Sequence, residues 1–362
     1  MDDSLQIRAD QFFSTATGHG LAALLAPFEA PARAGTALRH GPEYRAIQEA
    51  RREDDDSLPQ GIWQHELKRA DWDGSLRLCA DLIATRSKDL QIAAWLLEAS
   101  LHRHGFAALA PGLVLVHGLC SDYWDDLHPA GDHELHGNIF RWMNARLLPP
   151  LRQVPITAAG GNREFGWADW ELAHRREQQR AVAGQRAPAD GEIVPAEIAA
   201  ALALTPGEIC SERYAQIAAA LAALDMLKAL LEQRFNKDGP SLGALASLLE
   251  DMGGWLAAEL AKRGRAPAAA LPVAAAETAT LLGGATTLDQ AIADRAEAYR
   301  HLAAAAEFLM RLEPHSPVPY LVRRAIDWGR LNTVELYQEL FVRMGGQISI
   351  FDLLGLDPGR QS

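Results

Sequence analysis

Apolar residues recur at steps of three and four along much of the chain, the spacing that places them on one face of an α-helix. Residues 208–235 and 241–262 keep leucines in this register. A further amphipathic stretch covers 289–312, where Thr287 and Gln290 have the spacing of a capping box. We find no strand–helix–strand alternation and very few strand-like runs, so the pattern predicts an all-α fold.

The first half of the chain contains a segment, 90–101, that is apolar on nearly every face. We expect a helix here at the centre of its domain, with Ser87 as its N-cap and Gly105 ending it. The next helix is expected to begin at Pro111. Seven of the nine tryptophans lie in this half, whereas the second half is rich in Ala and Leu. The difference predicts two kinds of core.

Two stretches of small and polar residues, 181–206 and 264–286, are expected to be linkers. At 362 residues the chain is long enough for several cores. We therefore expect a multidomain helical protein: an N-terminal helical domain over 1–180, a middle helical hairpin over 207–263 and a C-terminal helical domain over 287–362. A hairpin is a poor core alone, so this one is expected to dimerise or to pack against a neighbouring domain.

A rigid corner interrupts the C-terminal helices. Residues 313–320 read Glu-Pro-His-Ser-Pro-Val-Pro-Tyr, and each proline fixes its own φ and disfavours a helical conformation in the residue before it. One helix must end near Leu312, and the next can begin only around 317–319. The residue types of a hydrolytic triad occur here as Glu313, His315 and Ser316, but adjacent residues of an extended chain point in opposite directions. A structural role is expected for the corner.

Other polar clusters in the sequence have residue types that occur in metal or catalytic sites. His128, His133 and His136, with the acidic residues between them, have ligand types that suit zinc, iron or manganese, but their spacing matches no zinc motif. Ser87 and Lys88 are adjacent on the chain and do not have the geometry of a catalytic dyad. The acidic run 53–56 lacks the pattern of a calcium loop. We expect no metal site, no cofactor and no catalytic residues.

Composition narrows the class of protein further. The formal net charge of −12 argues against nucleic-acid binding. The three cysteines are far apart in sequence, which predicts reduced, buried thiols. The start of the chain lacks the pattern of a signal peptide, and no uninterrupted run approaches eighteen apolar residues. A soluble, unexported protein is expected.

Two unrelated segments resemble one family. The run at 313–317, followed by a helix with apolar and basic residues that reaches Trp328, resembles the C-terminal region of the TssA proteins of bacterial type VI secretion systems. Ser87-Lys88-Asp89-Leu90 and the Tyr-Trp-Asp-Asp-Leu-His-Pro run at 123–129 are similar to the ImpA-related N-terminal domain of the same proteins. Residues 34–44 depart from the family, which usually carries a Cys-Gly-Glu-Asp-Leu type motif there.

The resemblance implies a cytoplasmic structural component of the secretion apparatus and not an enzyme. A ring-like homo-oligomer would form through the C-terminal domain, and the N-terminal domain would contact baseplate, sheath and tube proteins, without membrane insertion. The alternatives are a sheath-distal cap of the same system, a related scaffold outside secretion, or a metal-dependent enzyme using the 128–136 cluster. The candidate oligomerisation residues belong to the corner and the helices after it: Pro314, Pro317, Pro319, Leu321, Ala325, Trp328, Tyr337 and Phe341.

Overall fold

The structure is a computed structural model that describes residues 3–29, 31–54, 67–158, 163–182, 188, 191–235, 239–264 and a few positions between 303 and 326. The chain divides into two compact units, Met1–Ala275 and Ala276–Ser362. The described residues of the first unit form α1 Asp3–Thr17, α2 Leu21–Leu25, α3 Pro42–Ala50, α4 Trp72–Thr85, α5 Leu90–His104, α6 Leu109–Tyr123, α7 His133–Arg146, α8 Leu148–Gln153, α9 Trp167–Val182, α10 Pro195–Leu204, α11 Gly207–Phe235 and α12 Gly243–Lys262. This architecture confirms the predicted all-α fold class.

The centre of the first unit is the pair α5 and α6. In α5 every residue from Leu90 to Leu101 except Gln91 is buried, which confirms the central position predicted from its all-round apolar pattern. Helix α6 packs against α5 on one side and against α1 and α11 on others. Fully burying a leucine such as Leu97 or Leu113 stabilises the fold by roughly 1.5–3 kcal/mol relative to leaving it exposed.

Aspartates cap three of these helices. The Asp71 carboxylate accepts from Gly74 N at the start of α4, and the Asp132 carboxylate accepts from Leu135 N at the start of α7. At α5 the cap is Asp89, whose Oδ1 accepts from the two N–H groups of Gln91 and Ile92. The expectation that Ser87 caps this helix is wrong, because Asp89 directly precedes the first helical residue and Ser87 lies in an extended bridge with Gly35.

The ends of α5 and α6 follow local backbone chemistry. Gly105, with φ 57°, ends α5 as predicted, since the left-handed region favours glycine. A 3-10 turn, Gly105–Ala108, then leads into α6 two residues before the expected start at Pro111. Proline is tolerated in the first helical turn because the N–H it lacks has no partner within the helix there.

The predicted helical hairpin is present as α11 and α12. It packs against a neighbouring part of the chain, because α11 lies along α6 and α12 contacts α7. Leu224 and Leu227 of α11 belong to the same hydrophobic core as α5 and α6. Of the two expected arrangements, dimerisation and packing against a neighbouring domain, the structure shows the second.

The segment 181–206, expected to be a linker, contains the helix α10. Ile198, Ala201 and Leu202 of α10 are buried, and the helix packs against α9. Arg263 at the end of α12 donates to the carbonyl oxygens of Leu202 and Thr205. The linker prediction failed for α10 because alanine-rich residues after a proline are compatible both with a linker and with a short helix that begins with proline.

Two helical segments, Leu90–Tyr123 and Gly207–Phe235, are long and apolar enough to cross a membrane by length and composition. Of their most apolar windows, 72% and 50% are buried inside the fold. Core helices of soluble proteins have the same character, so these segments are weak evidence for a membrane span. The three cysteines, Cys79, Cys120 and Cys210, are buried and free, as the sequence predicted.

The described positions of the second unit are helical and few. Ala306 and Ile326 are buried, and the Arg323 guanidinium lies 3.8 Å from the Glu307 carboxylate. Burial of these two apolar positions agrees with the predicted apolar faces on either side of the proline corner. The eight candidate oligomerisation residues and the corner itself lie outside the described residues.

Candidate partner-binding pocket

The motif Ser87-Lys88-Asp89-Leu90 is held between two other segments of the chain. On one side Lys88 N donates to Ala34 O, at 2.8 Å. On the other, His128 N donates to Lys88 O and Leu90 N donates to His128 O, both at 2.9 Å. These backbone bonds fix the position of Asp89 at the start of α5. The start of the segment that departs from the family motif, at Ala34 and Gly35, thus lies directly against the Ser-Lys-Asp-Leu motif.

The Lys88 side chain is buried and links two parts of the backbone through hydrogen bonds. Its Nζ donates to Leu24 O and Ile83 O, both at 2.8 Å, and lies 4.5 Å from the centroid of the Phe28 ring. Burial lowers the pKa of this amine to about 8 because the charged form is desolvated. The Ser87 hydroxyl has no hydrogen-bond partner among the described residues, so Ser87 and Lys88 do not form a dyad.

A cavity of about 230 Å³ opens beside this motif, between the start of α3, the start of α5 and one side of α7. We call it the Asp89 pocket. Asp89 is the most buried of its lining residues, at 3% exposure, and burial raises the pKa of its carboxyl group to about 6. The lining residues are Arg39, Tyr44, Asp89, Gln91, Pro129, Leu135, Asn138, Ile139 and Trp142.

Aromatic rings and an ion pair pack together behind one wall of the pocket. The Tyr44 ring lies 4.5 Å from the Trp95 ring, centroid to centroid. The Arg51 guanidinium lies 4.8 Å from the Trp95 ring and 5.4 Å from the Trp142 ring, and it pairs with the buried Glu98 carboxylate. Because these groups belong to α3, α5 and α7, this packing fixes the three helices that form the pocket.

A second cavity, of about 250 Å³, is lined by the Arg51–Glu98 pair, Trp72 and His102. Trp72 stacks on His102 there with ring centroids 3.8 Å apart. Burial lowers the pKa of His102 to about 4, so this imidazole is neutral near pH 7. Of the charged groups that line this cavity, Glu98 pairs with Arg51 and lies 3.7 Å from the Arg146 guanidinium.

Two histidines of the 128–136 cluster lie near each other in the fold, because the His133 and His136 ring centroids are 6.0 Å apart. His128 Nε2 lies 3.3 Å from Gly35 O, and the buried His136 Nε2 lies 3.1 Å from Leu127 O. The His133 ring stacks on Trp124, while Asp132 is used as a helix cap. Among the residues that the structure describes, no three His, Cys, Asp or Glu side chains are grouped to hold a metal ion. The geometry gives no support to the metal-dependent alternative.

Most of the pocket residues were not singled out by sequence reasoning. Asp89 belongs to a motif that resembled the family, yet it was given no role of its own. Arg39 and Tyr44 lie in the segment 34–44 that departs from the family motif, and no local pattern distinguishes Trp142 from the other tryptophans of the first half. A sequence signal for the pocket existed only in Asp89, because Tyr44 and Trp142 meet it through tertiary packing. Of the acidic run 53–56, the structure describes Glu53 and Asp54, and the Asp54 carboxylate accepts from Lys68 N at 2.9 Å.

Known proteins are similar to this chain in sequence and in fold. The family described as ImpA, N-terminal, type VI secretion system, matches residues 25–145, which include every residue that lines the Asp89 pocket. Type VI secretion system component TssA1 of Pseudomonas aeruginosa is 30% identical over 265 residues, covering 69% of this chain and 74% of that protein.

A solved structure is also similar. It is the N-terminal domain, including the conserved ImpA_N region, of the TssA component of the type VI secretion system from Burkholderia cenocepacia. The TM-score is 0.60 at 29% identity, and the match covers 68% of this chain and 95% of that domain. The shared fold therefore extends well beyond the residues of the ImpA match. With the extended similarity to TssA1, these findings show that the chain belongs to the TssA family of type VI secretion system components.

Proposed function

We propose that this chain is a structural assembly component that forms a ring-like homo-oligomer and organises the baseplate and the assembly of sheath and tube. The observation that carries the proposal is the similarity to TssA1, a type VI secretion system component, over 74% of that protein's length. The C-terminal Glu-Pro-His-Ser-Pro run supports it from an independent part of the chain.

In this proposal the two units have different tasks. The C-terminal residues 287–362 assemble, with the corner at Pro314, Pro317 and Pro319 setting the angle between two helices. Trp328, Tyr337 and Phe341 contact neighbouring subunits, and anchors of this kind are each worth on the order of 2 kcal/mol. Around a closed ring the same contact repeats at every subunit, which makes the particle robust.

The N-terminal helical unit carries the contacts to other components. Its helices share one core, so it presents its surface as a rigid body. The partners are the baseplate, sheath and tube proteins in the cytoplasm, and the chain has no catalytic step of its own. The Asp89 pocket lies within the ImpA match and has room for one partner side chain.

Localisation in living cells tests this function. The full chain, fused to a fluorescent protein, is expressed together with a labelled sheath in the bacterium that encodes it. A baseplate role predicts a focus at the anchored end of each sheath, whereas a sheath-distal cap predicts a focus that moves with the growing end. A signal that never coincides with sheaths contradicts both. The same fusion ending at Gly284 is the control, because it lacks the region proposed to form the ring.

A further inference from the structure

The carboxylate of Asp89 is buried without a cationic partner in contact. Its Oδ1 accepts from the Gln91 N–H at 2.8 Å and the Ile92 N–H at 3.1 Å. Within the described residues no ion pair and no further hydrogen bond reaches Oδ2. Buried charges in proteins are usually paired, so a carboxylate at 3% exposure in the wall of an open cavity has capacity for an external donor.

The surroundings of Asp89 suit a cation. Tyr44 and Trp142 line the same cavity, and aromatic faces attract ammonium and guanidinium groups. This cluster already holds one guanidinium, since Arg51 lies 5.4 Å from the Trp142 ring. A planar guanidinium both stacks on aromatic rings and donates to a carboxylate, which a compact ammonium does less well.

The size and charge of the site narrow the ligand further. A volume of about 230 Å³ is below the range of cofactor and drug-sized sites, which is roughly 300–1,000 Å³, and it fits one side chain. Arg39 opposes a cation, but it is exposed and free to extend into solvent, whereas Asp89 is fixed by two backbone bonds. The net charge of −12 also favours encounter with a basic partner surface.

We infer that the Asp89 pocket binds a basic side chain, arginine in preference, from a partner protein of the secretion apparatus. The bound guanidinium donates to Asp89 and stacks against Tyr44 or Trp142. This inference rests on the proposed role of the N-terminal unit in contacting other components. Its test uses small ligands, so it does not depend on ring formation or on capture of a particular partner.

The experiment titrates the full-length chain with three ligands of similar size: N-acetylargininamide, N-acetylglutaminamide and the amide of N-acetylglutamate. Binding is followed by saturation-transfer difference NMR, which observes the ligand and is suited to a large protein particle. The arginine ligand is expected to bind at least about tenfold more tightly than the other two, because it alone carries a positive charge that can pair with the Asp89 carboxylate.

Three variants make the test specific. Asp89→Asn removes the charge but keeps a good helix cap, and it is expected to weaken arginine binding about tenfold or more. Asp71→Asn makes the same change at the α4 cap, away from the pocket, and should leave binding unchanged. Arg39→Ala should leave binding unchanged or tighten it, because it removes a like charge.

The inference is overturned by any of three results: no binding of the arginine ligand, equal binding to the Asp89→Asn chain, or preference for the glutamate ligand. Loss of arginine binding in Arg39→Ala would also contradict the inference, because removing a like charge should not weaken the binding of a cation. Failure of the proposed function appears separately, in sheath localisation and particle mass, neither of which these ligands measure.

Discussion

Arg51 and Glu98 form a buried ion pair, with the Arg51 Nη2 atom 2.5 Å from the Glu98 Oε2 atom. The two side chains are 13% and 3% exposed. Burial raises the pKa of Glu98, and the positive charge of Arg51 opposes that shift. The pair joins the end of α3 to α5, and Arg51 also touches two tryptophans, so it holds together the helices around the Asp89 pocket.

Arg51→Met is therefore expected to destabilise the first unit by about 3–5 kcal/mol, because it leaves the Glu98 charge buried and unpaired. The matched control is Arg103→Met, since Arg103 pairs with Asp73 on the surface, where both side chains are about half exposed. That change should cost less than about 1 kcal/mol. Urea unfolding followed by tryptophan fluorescence measures both. Equal small losses would show that the buried pair does not stabilise the fold.

The buried Lys88 amine gives stability a dependence on alkaline pH. Its pKa in the folded state, about 8, lies below the ordinary 10.5, so between these values the unfolded chain binds more protons than the folded chain. By linkage the contribution of Lys88 to stability rises with pH across this window. Comparing the unfolding free energy of the natural chain with Lys88→Met from pH 7 to pH 10.5 isolates this group. The unfolding free energy of the natural chain should increase relative to that of the variant as pH rises. A difference that stays constant with pH would contradict the lowered pKa of Lys88.

Gly35 is required where residues 34–36 pass the motif at 87–89. Its φ is 77°, and a Cβ atom here would lie 2.2 Å from the Arg86 carbonyl oxygen, a backbone atom that cannot easily move. Gly35→Ala is expected to cost more than the strain of a left-handed residue alone, which is about 1 kcal/mol. Gly18→Ala is the control, because Gly18 has φ 79° and nothing within 4 Å of the added atom. Similar unfolding midpoints for the two variants would contradict this reading.

The shared core of α6 and α11 predicts how truncation behaves. A chain ending at residue 206 lacks the helix that covers one side of α6, so it should aggregate or bind an apolar dye such as ANS strongly. A chain ending at residue 264 keeps α11 and α12 and should remain soluble with little dye binding. Soluble, dye-free behaviour of the shorter chain would show that the hairpin is a separate domain.

Some features of this fold could be predicted from the sequence and others could not. The all-round apolar pattern of 90–101 and the glycine at 105 are local signals, and both led to correct predictions. The choice of Asp89 over Ser87 as cap depended on where residues 34–36 and 128 pair with the chain, which no local pattern records. The joining of α11 to α6 is likewise a tertiary choice, since an apolar face indicates burial but not its partner.

The candidate pocket was harder to predict than the fold. Asp89, Tyr44 and Trp142 come from three helical regions, and only packing brings them to one cavity. The histidines of 128–136 show the reverse case. They are close in sequence, and His133 and His136 both lie against Trp124, yet among the described residues they are not grouped with other ligands to hold a metal ion. Chemical residue types near each other in sequence were therefore a poor guide to a site in this helical protein.

The central claim, that this TssA-family chain assembles through its C-terminal region, is tested most directly by particle mass. Size-exclusion chromatography with multi-angle light scattering compares the full chain, a chain ending at Gly284, and a full chain with Pro314, Pro317 and Pro319 changed to alanine. We expect a large homo-oligomer for the full chain, monomers or dimers for the truncated chain, and a smaller or heterogeneous particle for the proline variant. A truncated chain that keeps the subunit number of the full particle would contradict the account.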